Sequence, residues 1–238
     1  MVLPKPQHYT ARVSAKVPLT NKVWAVTFTL ENPQELHFIA GQSMMLHITD
    51  GINRSMSIAS PPRDIKNILM CHDVSPMGPG SKWTLGLNVG DQVSLVAPLG
   101  MFVLDNQSHR KKVMIATGTG IVPFRSMIMD YLAGPATRQN EVVLYWGLRH
   151  EEDIYWREEF EALAGKYPNF HFVLTLSKPT ETWAGHRGRV TDHLFVEEKN
   201  FIDTDFYLCG SKAMVDEVKK ALFSRNVPNT QVKQELFF

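Results

Sequence analysis

The chain has 238 residues, 44% hydrophobic and 21% charged, and its 25 basic and 24 acidic side chains leave a formal charge of +1. That length suits one large domain or two of ordinary size in a soluble globular protein. The near-neutral balance argues against a nucleic-acid surface, and no run approaches the roughly 18 apolar residues of a membrane span.

In chain order, the first hundred residues read as short β segments: "YTARVSAKV", "VWAVTFTL", "SMMLHI", "RSMSIAS", "NILMCHDV" and "DQVSLVAP". Turn-forming clusters such as "ENPQE" and "DGIN" separate them, a spacing that predicts a small antiparallel sheet or barrel. One short helix is expected at "SKWTLGL". The polar "SHRKK" marks the seam, giving domains at 1–108 and 109–238.

Beyond the seam, apolar runs alternate with longer amphipathic stretches. "KVMIAT" precedes "IVPFRSMIMDYLA", "EVVLYWG" precedes "YWREEFEALAGKY", "HFVLTLS" leads to "VTDHLFVEE", and "DFYLCG" precedes "SKAMVDEVKKALFSR". This βα alternation predicts an α/β, Rossmann-like parallel sheet covered by helices. Ser211 is placed to cap the last helix, and Lys219 and Lys220 suit the negative end of its dipole.

Ligands of such sheets bind at the carboxyl ends of strands, near a switch in strand order. Gly118, Thr119 and Gly120 follow one strand, Trp146 to Arg149 a second, and Cys209 with Gly210 a third. Glycines are costly inside regular structure, so a pair at a strand exit points to backbone that something approaches closely. Amides after Gly120 can hold a phosphate, and Pro123 fits a first helical turn, where its missing N–H is not needed. The same glycines can also simply end strands, and the pattern is not G-x-G-x-x-G.

Cys71 and Cys209 form no C-x-x-C pair, which is too little for a disulfide framework, a zinc site or an iron–sulfur cluster. The histidines show no H-x-x-x-H spacing, and no metal is expected. "MVLPKPQHYTARV" has no secretory apolar core, so a reducing cytoplasm is the expected compartment.

Taken together, "RSMS", "GPGS", "APLG", "GTGIVPF", "CGSKAM" and the terminal "ELFF", in that order, resemble the ferredoxin–NADP reductase superfamily. The resemblance covers nearly the whole chain. It implies a flavin-binding antiparallel β-barrel followed by a nicotinamide-binding α/β domain. It further implies hydride transfer from NAD(P)H to a held flavin, FAD ahead of FMN.

By this resemblance Arg54 would neutralise the flavin pyrophosphate, Ser55 and Met56 would lie along the flavin, and Ser57 would hydrogen-bond near its N5. Met56 stands where the family carries an aromatic residue, and a core methionine is the competing reading. Gly78, Gly80 and Ser81 would form the second flavin-phosphate element, with Ser81 capping the short helix. Gly118, Thr119, Gly120, Pro123, Gly210 and Met214 would serve the nicotinamide dinucleotide. Cys209 would sit beside the nicotinamide, Glu235 near Cys209 and Ser57, and Phe237 over the flavin face. Ser57 and Cys209 would line the crevice where the two rings stack.

Arg149 can pair with a 2′-phosphate, whereas Glu152 or Asp153 can accept from a 2′-hydroxyl or form a first helical turn. "DIYWREEFEAL" and "WAGHRGRVTD" resemble NADH-using oxygenase reductases and favour NADH. Relatives often carry a ferredoxin domain with C-x4-C-x2-C, a pattern absent here. Electrons would therefore leave to a separate acceptor: a protein carrier, an oxygenase component or a small molecule such as free flavin. The alternative is an electron-transfer flavin subunit of a larger complex, with little activity alone.

Overall fold

The computed structural model describes residues 4–135 and 140–236. Contacts divide the chain into two units, Met1–Leu104 with Val122–Ala133, and Asp105–Ile121 with Gly134–Phe238.

The first unit is built on β1 (Gln7–Pro18), β2 (Val23–Asn32), β3 (Ser43–Thr49), β4 (Ile52–Ser57), β5 (Asn67–Asp73), the helix α1 (Pro79–Gly86) and β6 (Gln92–Leu99). The strands form an antiparallel sheet in the order β4-β3-β6-β1-β2-β5. The sheet curls into a half-barrel: just past β4, the Ala59 amide donates to the Leu69 carbonyl of β5, at the opposite sheet edge. Alternation along the strands turns Phe28, Met44, Leu46, Met70 and Leu95 into one core. Each expected β segment of this half overlaps one of these strands, though "RSMSIAS" runs three residues past the end of β4.

The second unit contains β7 (Lys111–Thr117), a 3-10 turn at Gly118–Gly120, and the start of α2 (Ile121–Leu132). It continues through β8 (Val142–Leu148), α3 (Arg157–Lys166), β9 (Phe170–Leu176), β10 (His186–Arg187), α4 (Val190–Glu197), β11 (Thr204–Gly210), α5 (Lys212–Phe223) and β12 (Val232–Leu236). Its sheet is parallel, in the order β10-β9-β8-β7-β11-β12. All of β8 and β11 is buried, as strands covered on both faces must be. On α5, Met214, Val215, Val218 and Leu222 fall on one face and pack into the core; the Ser211 hydroxyl accepts from the Met214 amide as the N-cap.

The division differs from the 108/109 seam in two respects. It falls after Leu104, and the Asp105 amide donates to the Tyr207 hydroxyl of β11, tying residue 105 to the second unit. Most of α2 groups with the first unit instead of the second. The Ser126 hydroxyl donates to the Ser60 carbonyl at 2.7 Å, Arg125 Nη1 to the Ala59 carbonyl at 2.9 Å, and Arg63 Nη1 to the Met129 carbonyl at 3.0 Å. No helix among the described residues is long and apolar enough to cross a membrane.

Candidate functional site

In the first unit the "RSMS" and "GPGS" segments meet. An ideal Cβ on Gly80 would lie 3.4 Å from Arg54 Cγ and 3.5 Å from His72 Cε1, so the arginine stem crosses bare backbone. The Arg54 guanidinium is exposed, and its Nη1 donates to the Asn53 carbonyl at 2.8 Å. Gly78 is the N-cap of α1 and supplies no side-chain hydrogen bond to its first turn, and Pro79 brings no N–H there. His72, which the sequence did not single out, is anchored by Thr84 Oγ1 at 2.8 Å, and burial pushes its pKa below the ordinary value.

Ser81 is not the cap of α1. The helix begins two residues earlier, at Pro79, because proline favours the first turn; Ser81 lies inside the helix, 3% exposed. Along β4, Met56 opposes Met44 and packs against the barrel core, the role that competes with a flavin contact. Ser55 is exposed, and Ser57, opposite Ser43, is buried.

In the second unit β7 is the first strand of the sheet; β8 and β9 lie to one side of it, β11 and β12 to the other. The switch in strand order is therefore between β7 and β11, whose carboxyl ends carry Gly118–Gly120 and Cys209–Gly210. These loops touch each other. A Cβ on Gly120 would fall 2.1 Å from the Cys209 carbonyl oxygen and 2.8 Å from Gly210 Cα. One on Gly210, at φ +141°, would fall 2.3 Å from Thr117 Oγ1, the atom that accepts from the Ser211 amide at 3.0 Å. The close approach inferred at this glycine pair is thus made, at Gly120, by the chain's own backbone. Gly118 is different: it is exposed, at φ +54°, with nothing within 4 Å of its would-be Cβ.

Two aromatic residues hold that loop. Trp146 Nε1 donates to the Gly118 carbonyl at 2.9 Å and the Tyr155 hydroxyl donates to the same oxygen at 3.3 Å. Thr119 is half-buried, and Pro123 is buried in the first turn of α2. Cys209 is fully buried, paired in register with Ala116 of β7 and Glu235 of β12. Burial, and then the Glu235 carboxylate, push its thiol well above the ordinary range. Met214 belongs to the hydrophobic core of this unit instead of a ligand surface, because the capped first turn of α5 turns it inward.

A pocket of about 610 Å³ lies in the same unit, lined by Arg149, Ser177, Lys178, Gly188, Arg189, Asp192 and Glu217. Arg149 follows directly on the carboxyl end of β8. Asp153 does not line the pocket: it is 5% exposed, and its carboxylate accepts from the His150 amide at 3.0 Å, capping the short turn Glu151–Asp153. Lys178 and Glu217 carried no motif in the sequence, whereas Arg189 lies within "WAGHRGRVTD". Phe237 is outside the described residues.

The family model described as "Oxidoreductase NAD-binding domain" matches residues 114–220. Reductase component 2 of a Comamonas terephthalate 1,2-dioxygenase is 29% identical over 216 residues, which cover 90% of this chain and 64% of that protein. The chain thus spans about two-thirds of the length of that relative. The crystal structure of an Amycolatopsis cytochrome P450 reductase superposes with a TM-score of 0.90 at 28% identity, covering 99% of this chain and 71% of that one. Ferredoxin–NADP reductase B of Sorangium cellulosum is 31% identical over 239 residues, covering 96% of this chain and 97% of that protein. With that agreement end to end, and with an antiparallel half-barrel followed by a parallel sheet, the chain belongs to the ferredoxin–NADP reductase superfamily.

Proposed function

We propose that this protein is an NAD(P)H-dependent flavoprotein reductase that holds FAD in its first unit and passes electrons to a separate acceptor. The observation that carries the reading is the crossing of Arg54 over Gly80 beside the uncapped start of α1. A guanidinium beside a helix start is what a pyrophosphate needs. When bound, the flavin would supply hydride acceptance and the release of electrons singly or in pairs. Ser57, Cys209 and Glu235 are the residues proposed to act at the transfer step.

Purified protein is expected to be yellow, to release FAD on denaturation, and to oxidise NAD(P)H with ferricyanide without any partner. Arg54→Ala is expected to weaken FAD about 10- to 100-fold, the value of a lost charge-assisted hydrogen bond. Titration of the apoprotein measures it. Full FAD affinity in the variant would remove Arg54 from the site, and a colourless protein that ignores FAD would overturn the reading.

The 610 Å³ pocket is proposed to take the adenosine ribose end of the nicotinamide dinucleotide. Arg189 Nη1 lies 3.6 Å from Glu217 Oε2, and Asp192 Oδ2 accepts from the Arg189 amide at 2.8 Å. Arg149 and Lys178 leave the pocket with more cationic than anionic side chains, a setting that accommodates a 2′-phosphate. NADH needs no such partner. Lys178→Ala is expected to lower kcat/KM about tenfold for NADPH and less than about twofold for NADH. Equal losses with both would place the 2′ position elsewhere.

The acceptor is proposed to be a redox protein of an oxygenase system. The Comamonas relative is the reductase component of a dioxygenase, and an Acinetobacter baylyi protein described as the electron transfer component of anthranilate 1,2-dioxygenase is 30% identical over 209 residues.

A further inference from the structure

We propose that His186, His193 and Glu197 form a site for a divalent transition-metal ion, with Zn²⁺ the ion their chemistry suits. The three belong to the second unit and take no part in the nucleotide reading. One nitrogen from each histidine and one oxygen of the glutamate lie within 4.8 Å of one another.

His193 and Glu197 stand four residues apart on α4 and so share a face; His193 Nδ1 is 3.8 Å from Glu197 Oε1. His186 comes from β10, its ring edge-on to that of His193 with centroids 4.8 Å apart. Tetrahedral zinc with N and O ligands near 2.0–2.2 Å requires ligand atoms about 3.4 Å apart. Small rotations of the exposed His186 and Glu197 side chains toward the half-buried His193 would close the difference. Two imidazoles and one carboxylate form a borderline-soft set that prefers zinc-like ions to Mg²⁺ or Ca²⁺.

The outer partners favour the same assignment. His193 Nε2 lies 2.9 Å from the Arg187 carbonyl, which only accepts, so Nε2 carries the proton and the Nδ1 lone pair faces the cluster. The buried Tyr145 hydroxyl lies 3.3 Å from Glu197 Oε2, on the oxygen opposite the one facing His193, and 2.9 Å from Glu198 Oε1. The loop bearing His186 is tied down as well: Trp183 Nε1 donates to the His186 carbonyl, and Arg187 Nη2 donates to the carbonyls of Thr180, Glu181 and Trp183. An ion here would clamp β10 to α4, across the segment that carries Gly188, Arg189 and Asp192.

The test is calorimetric titration of the full-length, tag-free, EDTA-treated protein with ZnCl₂, alongside His186→Asn, His193→Ala and Tyr145→Phe. One equivalent is expected to bind, about tenfold or more weakly in each histidine variant and about tenfold more weakly without the tyrosine hydroxyl. Hydrogen exchange over residues 186–193 is expected to slow with Zn²⁺ in the wild type and to be unmoved by Zn²⁺ in His186→Asn. His186 is exposed on a two-residue edge strand, so that variant keeps the fold if His193→Ala does not. Absence of binding at millimolar Zn²⁺, or equal binding by wild type and His186→Asn, would overturn the site.

Discussion

Gly120→Ala is expected to lower stability by about 3 kcal/mol or more, whereas Gly118→Ala, two residues away, costs about 1–2 kcal/mol. The difference lies in what the added methyl meets. At Gly120 it falls 2.1 Å from the Cys209 carbonyl oxygen and 2.5 Å from its carbon, both main-chain atoms in a central strand. Neither can move without displacing β11 from β7, and overpacking against backbone is among the costlier core changes. At Gly118 the methyl enters open space, and only the left-handed φ of +54° opposes it. Urea denaturation of both variants, followed by circular dichroism, separates the two. A Gly120→Ala protein as stable as Gly118→Ala would mean that the β7 and β11 loops do not pack as described.

Cys209→Ala is expected to slow flavin reduction by NAD(P)H about 100-fold, while FAD and nucleotide affinities change by no more than about threefold. This effect follows from the proposed function and from the protonation state of the thiol. Burial and the Glu235 carboxylate keep that thiol protonated at neutral pH, so it cannot serve as a thiolate nucleophile or a base. What remains is its shape at the carboxyl end of β11, at the switch in strand order. A loss of position of about 1 Å is worth two orders of magnitude in a transfer between two rings. Cys209→Ser, closest in volume, is expected to retain part of the rate. Native protein treated with iodoacetamide at pH 8 should stay unmodified at Cys209 and react fully in urea. An unchanged stopped-flow rate in Cys209→Ala would remove the residue from the mechanism.

Much of the fold was legible because the signals that encode it are local. Short β segments spaced by turn-forming clusters marked the strands of the first unit, apolar runs ahead of amphipathic stretches marked strands and helices of the second, and Ser211 announced the cap that the α5 amides use. Strand exits carrying Gly118–Gly120 and Cys209–Gly210 were also visible, though their adjacency was not. Local reading failed where a neighbour decided. Ser81 looked like a cap, but the helix starts before it at Pro79; of the two readings of Asp153, ribose contact or first turn, the structure has the turn, where its carboxylate accepts from the His150 amide. Met214, which the resemblance assigned to the nicotinamide dinucleotide, packs in the core.

By itself, the order of residues determined the two kinds of sheet, the helices that cover the second, and the motifs that carry the family resemblance, because hydrophobic periodicity and capping act over one or two turns of chain. Only the tertiary structure decided which backbone fills the space beside Gly120, which cations share a pocket with Arg149, and that His186 meets His193 and Glu197. Those are contacts between segments whose separation along the chain carries no period, and they form only when the parallel strands of the second unit are in register.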